Sequence, residues 1–113
     1  MSIRDRISEA VLSWPEVTER RHRFGGVEFK LGARELGHLH GDHTVDLPFT
    51  RAIRDELIAA GQARVHHSVP DSGWVTYSIR SEADVPAAVA LFRLSYERAA
   101  AARAENTKRR GGG

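Results

Sequence analysis

Apolar residues set the first element by their spacing. Ile3, Ile7, Val11 and Trp14 recur at intervals of four, four and three, the stripe of an amphipathic helix from Ile3 to Trp14. Ser2 is placed to cap it, and Pro15 stops it by constraining its predecessor and offering no N–H. The stretch from Glu16 to Phe24 is polar and arginine-rich, ends in Gly25-Gly26, and reads as a loop. From Val27 the period changes to two, with Val27, Phe29 and Leu31 alternating against Glu28 and Lys30 as in a half-buried strand. Gly32-Ala33 suits a hairpin turn, Arg34 to His40 a second strand, Gly41-Asp42-His43 the next turn, and Thr44 to Phe49 a third strand that Pro48 brings to its end or to an edge.

Thr50 then caps a helix from Arg51 to Ala60, with Ile53, Leu57 and Ile58 inward and Gly61 just past its end. A fourth strand spans Ala63 to Val69. Pro70-Asp71-Ser72-Gly73 is a strong turn signal, and a fifth strand runs from Trp74 to Arg80. Ser81-Glu82-Ala83-Asp84 resembles a capping box and opens the longest helix, whose inner stripe is Val85, Val89, Phe92 and Tyr96. The order α-β-β-β-α-β-β-α predicts an α+β fold, an antiparallel five-stranded sheet with its helices mainly on one face. The opposite face is then left free for function.

Composition narrows the chemistry. The chain has 113 residues, enough for one domain with one modest core. It has no cysteine, which excludes a disulfide scaffold, thiol catalysis and cysteine-ligated metals. The N-terminus has no signal-peptide run and no apolar stretch approaches membrane-span length, so the expectation is a soluble, cytoplasmic protein without a membrane partner. The net charge of +2 divides unevenly. Residues 103–113 carry Arg103, Lys108, Arg109 and Arg110 against Glu105, which is +3; the remaining 13 basic and 14 acidic residues leave residues 1–102 at −1. The domain is thus residues 1–102, followed by a basic tail, 103–113, read as disordered. A near-neutral body argues against nucleic-acid binding through the domain itself.

Alternation collects a polar face: Glu28 and Lys30; Arg34, His38 and His40; Thr44 and Asp46; Arg64, His66 and Ser68. If these strands are neighbours, His38, His40, His66 and Asp46 converge as candidate ligands of a divalent metal such as zinc or iron. Two other readings stand beside that one, a solvated face of hydrogen-bonded histidines and a site for a small anionic ligand served by Arg34, Arg64 and Trp74. By the same parity His67 belongs with Val65 and Val69 on the apolar side. His38-Leu39-His40-Gly41-Asp42-His43 also matches the HxHxDH metal motif of metallo-β-lactamases, which would make Asp42 and His43 ligands. Against this stand the short chain, the strand that follows the motif, and the spacing to the later histidines.

Glu35-Leu36-Gly37-His38-Leu39-His40-Gly41-Asp42, with Val45-Asp46-Leu47-Pro48-Phe49 and Pro70-Asp71-Ser72-Gly73-Trp74-Val75, resembles the small luciferase-domain proteins of bacteria and archaea over about residues 24–98. The resemblance implies that His38, His40 and His66 match the family's histidines, while Asp46 stands where larger relatives carry histidine. The strand order is also similar to the MmcQ/YjbR-like fold, some of whose members are suspected of binding DNA; that likeness implies a nucleic-acid or protein binding module without catalysis. Whether the domain is an enzyme stays open between these readings. A homodimer through an exposed strand edge is a third way for such a domain to work.

Overall fold

The computed structural model describes residues 1–22 and 25–111. Helix α1 (Ile3–Leu12) begins at Ser2, whose hydroxyl accepts the Asp5 amide, and turns Ile7 and Val11 into the interior. Strands β1 (Val17–Arg21), β2 (Gly26–Leu31), β3 (Arg34–His40) and β4 (Thr44–Pro48) follow. Then come α2 (Arg51–Ala59), β5 (Arg64–Val65), β6 (Trp74–Ser78), a 3-10 turn (Glu82–Asp84) and α3 (Val85–Gly111). The strands form one antiparallel sheet in the order β1-β2-β3-β4-β6-β5. The α+β class is as expected, but the sheet has six strands rather than five.

The additional strand is β1, which lies in the segment read as a loop. Its residues Val17-Thr18-Glu19-Arg20-Arg21 are exposed apart from a half-buried Val17, so no apolar alternation marks it. It is held by main-chain pairing to β2 alone, from Val17 opposite Leu31 to Arg21 opposite Val27. Arg23 and Phe24, the end of the expected loop, lie outside the described residues. β5 departs the other way. Only Arg64 and Val65 pair, against Thr76 and Val75, and the chain then leaves the sheet through turns to Gly73. His67 accordingly does not face the core: it is exposed, as are Val65 and Val69. The basic segment read as disordered continues α3 through Gly111, while Gly112 and Gly113 lie outside the described residues. No helix among the described residues is long and apolar enough to cross a membrane.

All three helices contribute to one apolar cluster on one face of the sheet, with Ile7 and Val11 from α1, Leu57 from α2 and Phe92 from α3. Phe92 meets Phe29 of β2 edge to face at 5.3 Å between centroids. That contact depends on Gly37. Its φ of +151° and its position under α3 mean that a Cβ would stand 2.8 Å from the Asp46 carbonyl and 2.9 Å from a Phe92 ring carbon.

At the same place the β2–β3 register slips: Phe29 lies opposite Gly37 and Lys30 opposite Glu35, leaving Leu36 as the extra residue of a bulge. Leu36 and Gly37 both face inward, and the Leu36 carbonyl accepts the buried Ser95 hydroxyl of α3 at 2.7 Å. The bulge thereby resets the parity of β3 ahead of the histidines.

Candidate metal centre

The polar face is organised by the ladders. Arg20, Glu28, His38, Asp46, Thr76 and Arg64 form one cross-strand row, each opposite the next on the neighbouring strand. His40 shares its face with His38, two residues along β3, and pairs with Thr44. Two histidines thus flank one carboxylate. His40 Nε2 lies 3.0 Å and His38 Nε2 3.3 Å from the same oxygen, Oδ2 of Asp46. The other oxygen, Oδ1, accepts the Thr76 hydroxyl at 2.6 Å. Asp46 is only 5% exposed, so its position is set by these partners rather than by water.

Glu35 stands behind His38. Its Oε2 lies 2.9 Å from His38 Nδ1, and because a carboxylate only accepts, Nδ1 carries the proton. In the neutral ring that leaves the Nε2 lone pair directed at the cluster. Hydrogen bonds to Asp46 and Glu35 raise the His38 pKa to about 9 against the opposing effect of burial. For Asp46, burial works against the charge, yet hydrogen bonds from His38 and Thr76 and the nearby charges of His66 and His38 hold its pKa down at about 2.

His66 reaches the cluster from outside the sheet. It follows β5 in a turn, and its Nδ1 accepts the Ser68 amide at 3.2 Å. The neutral ring therefore carries its proton on Nε2, which faces Asp46 Oδ1 at 3.6 Å. That tautomer points an N–H rather than a lone pair toward the carboxylate, at ion-pair rather than hydrogen-bond distance. Trp74 closes this side, its ring centroid 5.5 Å from that of His38 and 6.2 Å from that of His66. Among the described residues, His38, His40 and Asp46 are the group whose ligand atoms gather closely enough for one ion, all within 4.8 Å of one another. Their open side faces a cavity of about 340 Å³ lined by His22, Gly26, Glu28, Glu35, His38 and His40.

The remaining candidates are dispersed. Arg64 lies at the β5 edge and donates to the Ser78 hydroxyl at 2.9 and 3.3 Å, whereas Arg34 lines a separate groove near the opposite end of β6 that it shares with Trp74, which also stands beside the cluster. Asp42 of the HxHxDH match is not at the cluster: its carboxylate accepts the Arg4 amide at 2.7 Å and ties α1 to the β3–β4 turn, and His43 is exposed. The metallo-β-lactamase arrangement is therefore absent.

Two residues of the site escaped the pattern of the sequence. Simple alternation from His38 puts Glu35 on the core face, and the bulge brings it to the polar one. The available signal was Leu36-Gly37, an apolar residue in a polar phase followed by a strand glycine. Thr76 was visible as the polar residue between Val75 and Tyr77, but its role required knowing that β6 lies beside β4.

The Pro70–Gly73 turn places Trp74. Arg54 of α2 donates to the carbonyls of Pro70 and Ser72 at 3.0 and 2.8 Å, and the Phe49 amide donates to the Gly73 carbonyl at 3.2 Å. A Cβ on Gly73 would overlap the Phe49 carbonyl, so the close approach requires glycine. The Gly-His-x-His strand thus supplies the two histidines of the cluster, β4 supplies Asp46, and the Pro-Asp-Ser-Gly-Trp turn places the indole beside them. No curated protein and no solved structure matches the chain. The luciferase-domain family model matches residues 33–95, from the start of β3 into α3 and more than half of the chain, and the chain belongs to the luciferase-domain family.

Proposed function

We propose that the domain binds one divalent transition metal, zinc or iron, through His38 Nε2, His40 Nε2 and Asp46 Oδ2, and presents its open coordination positions to a small molecule in the adjoining cavity. The observation that carries this reading is the convergence of two imidazole nitrogens on one carboxylate oxygen, at 3.0 and 3.3 Å. Donors bound at about 2.1 Å to a shared ion stand roughly 3.0 to 3.4 Å apart, and both N···O separations fall in that range. The surroundings support the reading. A carboxylate behind a ligating histidine fixes its tautomer, as Glu35 does for His38, and the Thr76 hydroxyl orients Asp46 by its other oxygen. Two histidines and one carboxylate on one face suit iron or zinc with exchangeable positions. His66, with its proton toward Asp46, serves as a positioning residue for the carboxylate.

The test is metal content of the purified full chain together with calorimetric titration by zinc and by ferrous iron. One ion per chain is expected, lost in the His38→Ala/His40→Ala double variant. A protein that purifies metal-free and gives no binding heat with either ion overturns the reading.

A further inference from the structure

Glu35 lines the cavity beside the histidines and also a second groove, of about 390 Å³, between the start of β3, the end of β4, Trp74 and α3. Two guanidinium groups line this groove from different elements, Arg34 of β3 and Arg98 of α3. Among the described residues, neither has a carboxylate within ion-pair distance, which is also true of Arg4, Arg20, Arg51, Arg64 and Arg80; what sets Arg34 and Arg98 apart is that they line one groove. Arg98 Cζ lies 6.0 Å from the Phe49 ring centroid, a contact that does not use its N–H donors. The acid on the wall, Glu35, directs Oε2 at His38. Thr50, the cap of α2, also lines the groove, and α2 has no acidic residue in its first turn to offset the positive end of its dipole. The flat wall is Trp74, the indole that stands beside His38 on the polar face.

We propose that this groove seats the anionic group of a flat ligand, a carboxylate or phosphate carried on an aromatic ring, with the anion between Arg34 and Arg98 and the ring against Trp74. Two unpaired guanidiniums supply charge-assisted donors in the fork geometry that carboxylate and phosphate oxygens accept. An indole supplies a stacking face that a bare ion does not need. The same indole packs beside His38, 5.5 Å between ring centroids, which makes aromatic anions the ligand class proposed for the neighbouring cluster. That last step rests on the metal reading above, while the binding of the anion in the groove does not.

The experiment is an amide and indole chemical-shift titration of the ¹⁵N-labelled full chain, with and without zinc. The probes are phenyl phosphate, benzoate, inorganic phosphate and benzyl alcohol. Phenyl phosphate or benzoate is expected to move the Trp74 indole N–H and the amides of Arg34 and Thr50 in the zinc-free protein, and the tighter of the two identifies the anion. Benzyl alcohol is expected to leave them in place, and inorganic phosphate to bind more weakly than phenyl phosphate. Arg34→Gln and Arg98→Gln, each with an otherwise unchanged spectrum, are expected to weaken binding about tenfold or more. The proposal is overturned if neither aromatic anion moves Trp74, if benzyl alcohol moves it equally, or if both glutamine variants bind as the parent does. The two readings fail separately. Zinc binding at His38 and His40 without any response to the aromatic anions removes the groove, and a response to the anions without zinc binding removes only the metal site.

Discussion

Glu35 holds His38 by Nδ1 at 2.9 Å although the two residues belong to opposite phases of a regular strand. The Leu36 bulge is what allows it, since the extra residue returns Glu35 to the face of the histidines. A bulge that re-aims one side chain at the back of a ligand is a structural investment in the orientation of that ligand. Replacing Glu35→Gln keeps the shape but removes the charge that favours Nδ1–H. Zinc affinity, measured by competition with a chelator, is expected to fall about 10- to 100-fold. An unchanged affinity would show that Glu35 is only a strand residue.

The charges of the cluster make the metal-free protein pH-dependent in a defined direction. His38 has its pKa raised from 6.5 to about 9, so its contribution to stability is fully present below pH 6.5 and is lost as pH rises through 9. Asp46 has its pKa lowered from 3.8 to about 2, so its contribution is fully present above pH 3.8 and is lost as pH falls through 2. Denaturation midpoints of the metal-free protein are therefore expected to be highest between about pH 4 and 6.5, as far as these groups determine them. Metal binding runs the other way. An ion must displace the proton of His38, so apparent zinc affinity is expected to rise with pH up to about 9, with proton release near neutrality. Calorimetry in buffers of different ionisation enthalpy measures that release.

Gly37→Ala tests the contact between the site strand and α3. The added methyl meets the Asp46 carbonyl and the Phe92 ring, at a backbone conformation that disfavours side chains. A loss of about 2–3 kcal/mol in chemical denaturation is expected from overpacking and strain together. Because the neighbour is the Asp46 backbone, metal affinity is expected to fall in the same variant.

Ser95→Ala removes the hydroxyl that satisfies the bulge from the far side. The Leu36 carbonyl would be left buried and unpaired, a loss of about 1–3 kcal/mol. The expected signature is a lowered denaturation midpoint with faster hydrogen exchange at β3, and an unaltered midpoint would show that the bulge holds itself.

Much of this was legible along the chain, and the exceptions have physical causes. Ile3, Ile7 and Val11 revealed α1, and Val27, Phe29 and Leu31 revealed β2, because burying one face imposes a period on the residues. Strand β1 left no such trace. An edge strand held by main-chain bonds needs no apolar alternation, and Val17-Thr18-Glu19-Arg20-Arg21 carries none. The segment Ala63–Val69 shows the converse: its alternation suggested seven strand residues, and only Arg64 and Val65 pair. His38 and His40 were placed on one face correctly because only local geometry was involved. Arg34, expected on the same face, lies opposite the inward-facing Leu31, and Glu35 takes the polar face in its place, since one unpaired residue reverses a period of two.

The sequence by itself determined which residues can meet: local spacing assigns each side chain to a face, and the lack of cysteine leaves imidazole and carboxylate as the main ligand chemistry. Only the tertiary structure decided which of them do meet. Asp46 and Thr76 are 30 residues apart and adjacent because β6 returns beside β4. His66 arrives from a turn, Glu35 from a bulge, and Arg34 and Arg98 share a groove because α3 crosses the sheet. These pairings are long-range, set by how whole elements bury their apolar faces against one another, and no local pattern records them.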